Sequence, residues 1–143
     1  MSYKFLKHAT LALIAIAFTA NIFPSCKGKE DKRTPPTMTL KTGGIYTSAD
    51  ATVGMNDTIT VGVTVTKTED ILKSFNVSYA FDGATTTTTS TNETLTSATE
   101  QNNGFSRDVQ IITRNVAGTE KWTFTVSDLD GNLSSKSITL TVN

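Results

Sequence analysis

The feature that most constrains the fold is a strict alternation of apolar and polar residues in four segments of the chain. In TITVGVTVT, residues 58–66, the apolar residues Ile59, Val61, Val63 and Val65 occupy every second position. Because successive side chains of a strand point to opposite faces, this pattern is typical of a strand with one buried face. The alternation recurs in SFNVSYAF, WTFTVSD and SITLTV, where we expect these residues to point inward: Phe75, Val77, Tyr79, Phe81, Trp122, Phe124, Val126, Ile138, Leu140 and Val142.

Weaker strand candidates lie between these segments, in TMTLKT, in the threonine-rich run 85–96 and in GFSRDVQII. After residue 26, apolar residues do not recur at helical spacing for three turns, and β-branched residues dominate. The chain is therefore predicted to be all-β, an antiparallel two-sheet sandwich of about seven strands. A single cysteine cannot form a disulfide between the sheets, so we expect hydrophobic packing around Trp122 to hold them together.

The first 25 residues predict a signal peptide. MSYKFLKH contributes Lys4 and Lys7 and no acidic residue, and a largely apolar stretch follows from Ala9 to Phe23. This stretch is shorter than the about 20 residues that a transmembrane helix needs, but it suits a secretory signal. The small residue Ser25 then precedes Cys26, the only cysteine.

The segment NIFPSC, residues 21–26, resembles the lipobox of bacterial lipoproteins, although Phe23 and Pro24 depart from the usual pattern. The resemblance implies that Cys26 is acylated, becomes the new N-terminus and anchors the protein in a membrane. Each buried methylene of the acyl chains would contribute about 0.8 kcal/mol to attachment. The alternative is an ordinary secreted protein with a free thiol at Cys26, which is unfavourable in an oxidising compartment.

Residues 26–36 are predicted to form a lipidated cysteine and a flexible tether, because a charged run is followed by Thr34, Pro35 and Pro36. Within this tether, Lys29-Glu30-Asp31 resembles the export signal of surface lipoproteins of Bacteroidetes. The resemblance implies an outer-membrane protein that faces the cell surface. A periplasm-facing anchor is the alternative.

Residues 37–143 are predicted to form one domain. The segments GGIYTSADATVGMNDTITVGVTV and GTEKWTFTVSDLDGNLSSKSITLTV are similar to the single immunoglobulin-like domains of Bacteroidetes lipoproteins, and the similarity covers about residues 35 to 143. The resemblance implies an immunoglobulin-like sandwich. It implies no activity, because sandwiches serve many unrelated functions.

Composition excludes several classes of function. Removal of residues 1–25 leaves eleven Lys and Arg against thirteen Asp and Glu, a net charge of −2, which does not favour a nucleic-acid partner. The only histidine, His8, lies in the signal peptide, so the mature chain cannot form a Ser-His-Asp or Cys-His arrangement or a typical zinc site. We expect a protein that is not an enzyme, with no catalytic residue and no cofactor. A carboxylate-based hydrolase is the least favoured hypothesis.

The segment DLDGN, residues 128–132, contains weak candidate calcium ligands: Asp128, Asp130 and Asn132. The spacing does not match an EF-hand, since Gly131 precedes Asn132 and position 137 is a serine. We favour a hairpin turn in which Gly131 and Asn132 adopt positive φ and the aspartates cap backbone amides.

Three features are candidates for contact with sugars. The threonine-rich run 85–96 predicts an edge strand, with a glycan-contacting or O-glycosylated face as the alternative. Asp57-Thr58-Ile59 resembles the O-glycosylation acceptor of Bacteroidetes, which makes Thr58 a candidate modification site. The candidate ligand contacts, with packing under a loop as the alternative, are Tyr46, Asn102, Asn103 and Phe105.

These observations favour a lipid-anchored protein with a non-catalytic binding or adhesion role. The expected partner is a glycan or a protein at the outer membrane. The alternative is a structural component of the envelope that assembles through pairing of edge strands.

Overall fold

A computed structural model describes residues 34–143 of the chain. The predicted signal peptide, the lipidation site Cys26 and the export signal formed by Lys29, Glu30 and Asp31 lie outside the described residues. The described part contains eight strands and one short helix. Their bounds are β1 Thr37–Leu40, β2 Ala51–Val53, β3 Thr58–Thr66, β4 Leu72–Phe81, β5 Thr88–Thr94, α1 Ala98–Asn103, β6 Gly104–Ile112, β7 Gly118–Asp128 and β8 Leu133–Val142.

The strands form two sheets, one in the order β1-β3-β6 and the other in the order β2-β8-β7-β4-β5. All pairs are antiparallel except β2 with β8, which is parallel. The predicted all-β two-sheet sandwich is confirmed, with eight strands where about seven were expected and with one parallel pair in a sandwich expected to be antiparallel. The three residues of β2 are too few to show an alternating pattern in the sequence.

The core lies between the two sheets and contains the inward positions that alternation predicts. Val61, Val63 and Phe124 are fully buried, and Trp122 is only 7% exposed. Phe81 differs from the prediction, because 36% of it is exposed. Phe81 is the last residue of β4. Its ring is covered by the Arg114 guanidinium, which lies 4.8 Å from the ring centroid.

The edge strand predicted from the threonine-rich run is confirmed. β5, which comes from the threonine-rich run, is an edge strand of the five-stranded sheet. Six of its seven residues are exposed, because threonine can be placed in a strand without creating an apolar patch. The helix α1 that follows β5 has no buried residue, and a segment of this kind carries no periodic pattern to predict it from.

The described chain begins at an end of the sandwich where the β3–β4 loop lies. The backbone N–H and the hydroxyl of Thr34 donate to the Glu69 carboxylate, and the Thr68 hydroxyl donates to the carbonyls of Thr34 and Pro35. Pro36 is buried. The last residues of the predicted tether are therefore bonded to the sandwich. Within residues 34–143, no helix is long and apolar enough to cross a membrane.

Candidate binding surface

Tyr46 lies on the outer face of the three-stranded sheet, where its ring covers Gly62. A β-carbon at Gly62 would lie 2.8 Å from the ring, so only glycine allows this approach. The Tyr46 hydroxyl donates to Asp108 Oδ2 at 3.1 Å, and Lys41 Nζ donates to Asp108 Oδ1 at 2.7 Å. The hydrogen bond from Lys41 lowers the pKa of Asp108. Tyr46 is thus half-buried and engaged with its own chain.

The other three candidate ligand contacts lie elsewhere. Phe105 is buried on the inner face of β6, where its ring packs edge-on against Phe75 at 5.5 Å between centroids. Asn102 and Asn103 end the helix α1, and the Asn102 amide donates to the carbonyl of Ala98. Tyr46 and Phe105 are on opposite faces of the same sheet, so the structure does not bring the four candidates together into one surface.

Thr58 is the first residue of β3 and is exposed. Its backbone N–H donates to Asp57 Oδ1 at 2.8 Å. An O-linked sugar at the Thr58 hydroxyl would therefore meet solvent, and modification at this residue stays a prediction.

The Asp128–Asn132 segment forms the turn between β7 and β8. Asp128 is fully buried, and its two carboxylate oxygens accept hydrogen bonds from the backbone N–H and the side-chain amide of Asn132, both at 2.8 Å. Gly131 has the expected positive φ of 88°, whereas Asn132 does not adopt one. In the described part of the chain, His, Cys, Asp and Glu do not form a group of three that could hold a metal.

Arg107 forms an ion-pair cluster that the sequence did not reveal. Its guanidinium donates to both oxygens of Glu93 and to Glu100, which joins β6 to β5 and α1. The hydrogen bond from Arg107 lowers the pKa of Glu93. The three residues are separated in the chain and follow no motif, so their contact depends on the strand order.

A second cluster, which we call the end cluster, is formed by Phe81, Asp82, Arg114, Glu120 and Trp122. The Arg114 guanidinium donates to both oxygens of Asp82, which also accepts the N–H of Thr119 at 2.9 Å. The hydrogen bonds from Arg114 lower the pKa of Asp82 to about 2.

Glu120 is the buried member of the end cluster, with 1% of its surface exposed. Its Oε1 accepts the backbone N–H of Arg114 at 2.8 Å, and its Oε2 accepts the indole N–H of Trp122 at 3.0 Å. Both carboxylate oxygens therefore have a partner, which is what a buried carboxylate requires. The end cluster is a structural element, since its charged groups are directed at one another.

The outer face of the five-stranded sheet, which we call the hydroxyl face, is a candidate binding surface. It is formed by the side chains of β4, β7 and β8 that alternate with the buried positions, together with Thr52 of β2. Hydroxyl pairs link neighbouring strands, Ser74 to Ser127 at 2.6 Å and Thr125 to Ser135 at 2.9 Å. The main members are Thr52, Ser74, Asn76, Ser78, Thr119, Lys121, Thr123, Thr125, Ser127, Ser135, Ser137, Thr139 and Thr141.

Among these members Lys121 carries the only charge, whereas globular surfaces are usually rich in charged side chains. The polar positions of the predicted strands were visible in the sequence. What the sequence could not show is that β2, β8, β7 and β4 are neighbours, which places these polar positions on one surface.

Comparison with known proteins adds little to this description. No family model matches the chain, and no curated protein matches it. A solved structure of a β-glucosidase from Listeria innocua matches 76% of this chain, at 12% identity and a TM-score of 0.42. The complex of that protein with glucose matches over 74% of this chain, at 12% identity and a TM-score of 0.41.

In both comparisons the match covers 16% of the β-glucosidase chain. A likeness of this extent supports no inference about activity or substrate.

Proposed function

We propose that the protein is a surface lipoprotein of the outer membrane, anchored through Cys26, whose sandwich is a non-catalytic binding or adhesion module for a glycan or a protein. The hydroxyl face is the observation that carries this proposal. It spans four strands, is lined by hydroxyl and amide groups, and is not covered by another segment of residues 34–143. Such groups can donate and accept hydrogen bonds without the desolvation cost of a charge.

The point at which residue 34 joins the sandwich is compatible with an anchor in the preceding residues. Thr34 is bonded to Glu69, so any attachment that precedes residue 34 reaches the sandwich beside the β3–β4 loop. The hydroxyl face runs along the side of the sandwich, from Ser74 and Ser127 near that loop to Thr119 and Thr141 at the other end. It would stay accessible to a ligand in an anchored protein.

Protease treatment of intact cells tests the anchoring and the location. The full chain is expressed in a Bacteroidetes host together with a Cys26→Ala variant, and a periplasmic protein serves as the marker for leakage. We expect digestion of the wild-type protein while the marker is spared, and release of the variant from the membrane fraction. Protection of the wild type until the outer membrane is broken would contradict surface exposure.

A second candidate function is assembly through the edge strand β5. Six of the seven residues of β5 pair with β4, on one side only, and exposed edges of this kind accept an added strand. One feature opposes this role, since a register irregularity opposite Val77 and Ser78 interrupts the ladder. We therefore place it second.

Size measurement of the full chain, purified in detergent, tests assembly. A Thr91→Lys variant places a charge on the middle of β5, which should abolish strand addition. Assemblies that persist in this variant would exclude the β5 edge as the contact.

A further inference from the structure

We propose that a groove on the hydroxyl face, at its β2–β8 edge, binds one ring of a neutral glycan. This inference rests on the proposed function and specifies its ligand and its site. The groove has a volume of about 260 Å³ and is lined by Asp50, Ala51, Thr52, Thr139 and Thr141. It is smaller than the roughly 300 to 1,000 Å³ of pockets for drug-sized molecules, which suits a single ring of a longer chain.

Strand alternation directs the hydroxyls into this groove. Thr139 and Thr141 alternate with the buried residues Ile138, Leu140 and Val142, so they point to the outer face. Thr52 is the register partner of Thr141 in the parallel pair. The parallel addition of β2 therefore brings a third threonine beside the two of β8.

Asp50 supplies a fixed acceptor. Its Oδ1 accepts the backbone N–H of Thr139 at 2.7 Å, which holds the carboxylate at the groove. Within residues 34–143, its Oδ2 and the hydroxyls of Thr52, Thr139 and Thr141 have no hydrogen-bond partner. The groove thus offers one carboxylate oxygen as an acceptor and three hydroxyls that can donate or accept.

The charges around the groove favour a neutral ligand. Lys121 lies opposite Thr139 in the register of β7 and β8, so one cation balances the single carboxylate. A single carboxylate is a poor cation site, since calcium sites use several oxygen ligands. Sugar hydroxyls donate to a carboxylate and accept from an ammonium group or a hydroxyl, and a neutral ring satisfies all of these partners.

The neighbouring rows of the hydroxyl face extend the site beyond one ring. Thr119 lies opposite Thr141, and Thr123 lies opposite Ser137 and Ser78. A polysaccharide that occupies the groove with one unit can therefore continue across β7 toward β4. Contacts of this kind are individually weak, and binding depends on several units.

The test measures binding of the full chain to immobilised polysaccharides, with dextran, mannan and cellulose as neutral probes and alginate as the acidic probe. We expect retention on at least one neutral probe and none on alginate. Thr139→Val and Thr141→Val replace a hydroxyl by a methyl group of the same shape, and each should lower the affinity about 2- to 10-fold. Together they should lower it by more than the larger of the two single effects.

Asp50→Asn examines the acceptor separately. Asparagine keeps a carbonyl oxygen for the Thr139 N–H but replaces the free oxygen by an amide that donates, so binding should fall while the fold is retained. The matched control is Thr39→Val with Thr64→Val, which changes the same residue type on the other sheet, where the two residues are register partners. This control should bind as the wild type does.

The outcomes separate this inference from the proposed function. If the wild type binds a neutral probe but the groove variants bind equally well, the groove is not the site and the binding role stands. If the protein captures a protein ligand and none of the polysaccharides, the glycan inference is overturned. Retention on alginate that exceeds retention on the neutral probes would also overturn it.

Discussion

Two clusters in this protein use the same chemistry but differ in what lies beneath them. The end cluster joins Arg114, Asp82 and the ring of Phe81, and the cluster on the three-stranded sheet joins Lys41, Asp108 and the ring of Tyr46. We call the second one the surface cluster. In each, a cation bonds to an aspartate and lies over an aromatic ring, at 4.8 Å and 5.1 Å from the ring centroids.

The difference lies beneath the clusters. The end cluster continues inward through Glu120, which is 1% exposed and accepts from Trp122, whereas the surface cluster lies on the backbone of Gly62. Exposed ion pairs contribute little because water solvates the separated charges well. Buried hydrogen-bond acceptors matter more, since their loss leaves donors without partners. We therefore expect stability to depend on the inner members of the end cluster.

The largest effect is expected for Trp122→Ala. The side chain is 7% exposed and packs against Tyr79 at 4.9 Å between ring centroids, so the substitution removes core contacts and leaves Glu120 without its indole donor. Truncation of a large core aromatic costs about 3 to 5 kcal/mol of the free energy of unfolding. Chemical denaturation measures it, and a midpoint equal to that of the wild type would contradict the central role of this residue.

A smaller loss is expected for Glu120→Ala. The variant leaves the Trp122 indole N–H and the Arg114 backbone N–H without their acceptor, at a cost of about 2 to 3 kcal/mol. Glu120→Gln keeps the shape and one carbonyl acceptor, so it should lose less. Equal stability of the alanine variant and the wild type would show that water replaces both hydrogen bonds.

The comparison also shows what sequence can predict. Alternation identified the inward positions of four strands, with the exception of Phe81, because the buried face of a strand must be apolar at every second residue. The same alternation, extended two residues back from Trp122, places position 120 inward. A glutamate at that position does not by itself predict burial. Its acceptance of the Trp122 indole N–H is what makes the burial possible.

The surface cluster and the hydroxyl face were harder to predict. Gly62 interrupts the outward threonines of β3, and glycine within a strand often marks a close approach of another group, here Tyr46. Nothing in the sequence indicates that Asp108 completes that cluster. Likewise, the groove at Thr139 and Asp50 depends on the parallel pairing of β2 with β8, which a three-residue strand does not reveal.

Acidification provides a sharper test of the outer part of the end cluster. The pKa of Asp82 is lowered from 3.8 to about 2, first by the hydrogen bonds from Arg114 and then by the Thr119 N–H. A lowered pKa in the folded state means that the carboxylate stabilises the fold fully above pH 3.8, and that this contribution is lost as the pH falls toward 2. Asp82→Asn should therefore flatten the decline of the melting temperature between pH 4 and pH 2.

The matched control for this titration is Asp108→Asn, from the surface cluster. The pKa of Asp108 is also lowered, by the hydrogen bond from Lys41, so its contribution has the same sign. At neutral pH we expect Asp82→Asn to melt below the wild type, because it lacks the contribution of the ionised carboxylate, and the two melting temperatures should converge as the pH falls toward 2. An acid profile of Asp82→Asn that is identical to that of the wild type would contradict the role of the Arg114 pair.

The smallest effect is expected for Lys41→Met. Methionine keeps an apolar stem over Gly62 and beside the Tyr46 ring but removes the ion pair with Asp108. Since exposed pairs of this kind are weak and screened by salt, the melting temperature at neutral pH should not change measurably, and added salt should not separate the two proteins. A clear loss of stability would show that the surface cluster stabilises the fold as much as the end cluster does. The buried Glu120 beneath the end cluster would then not explain a difference between them.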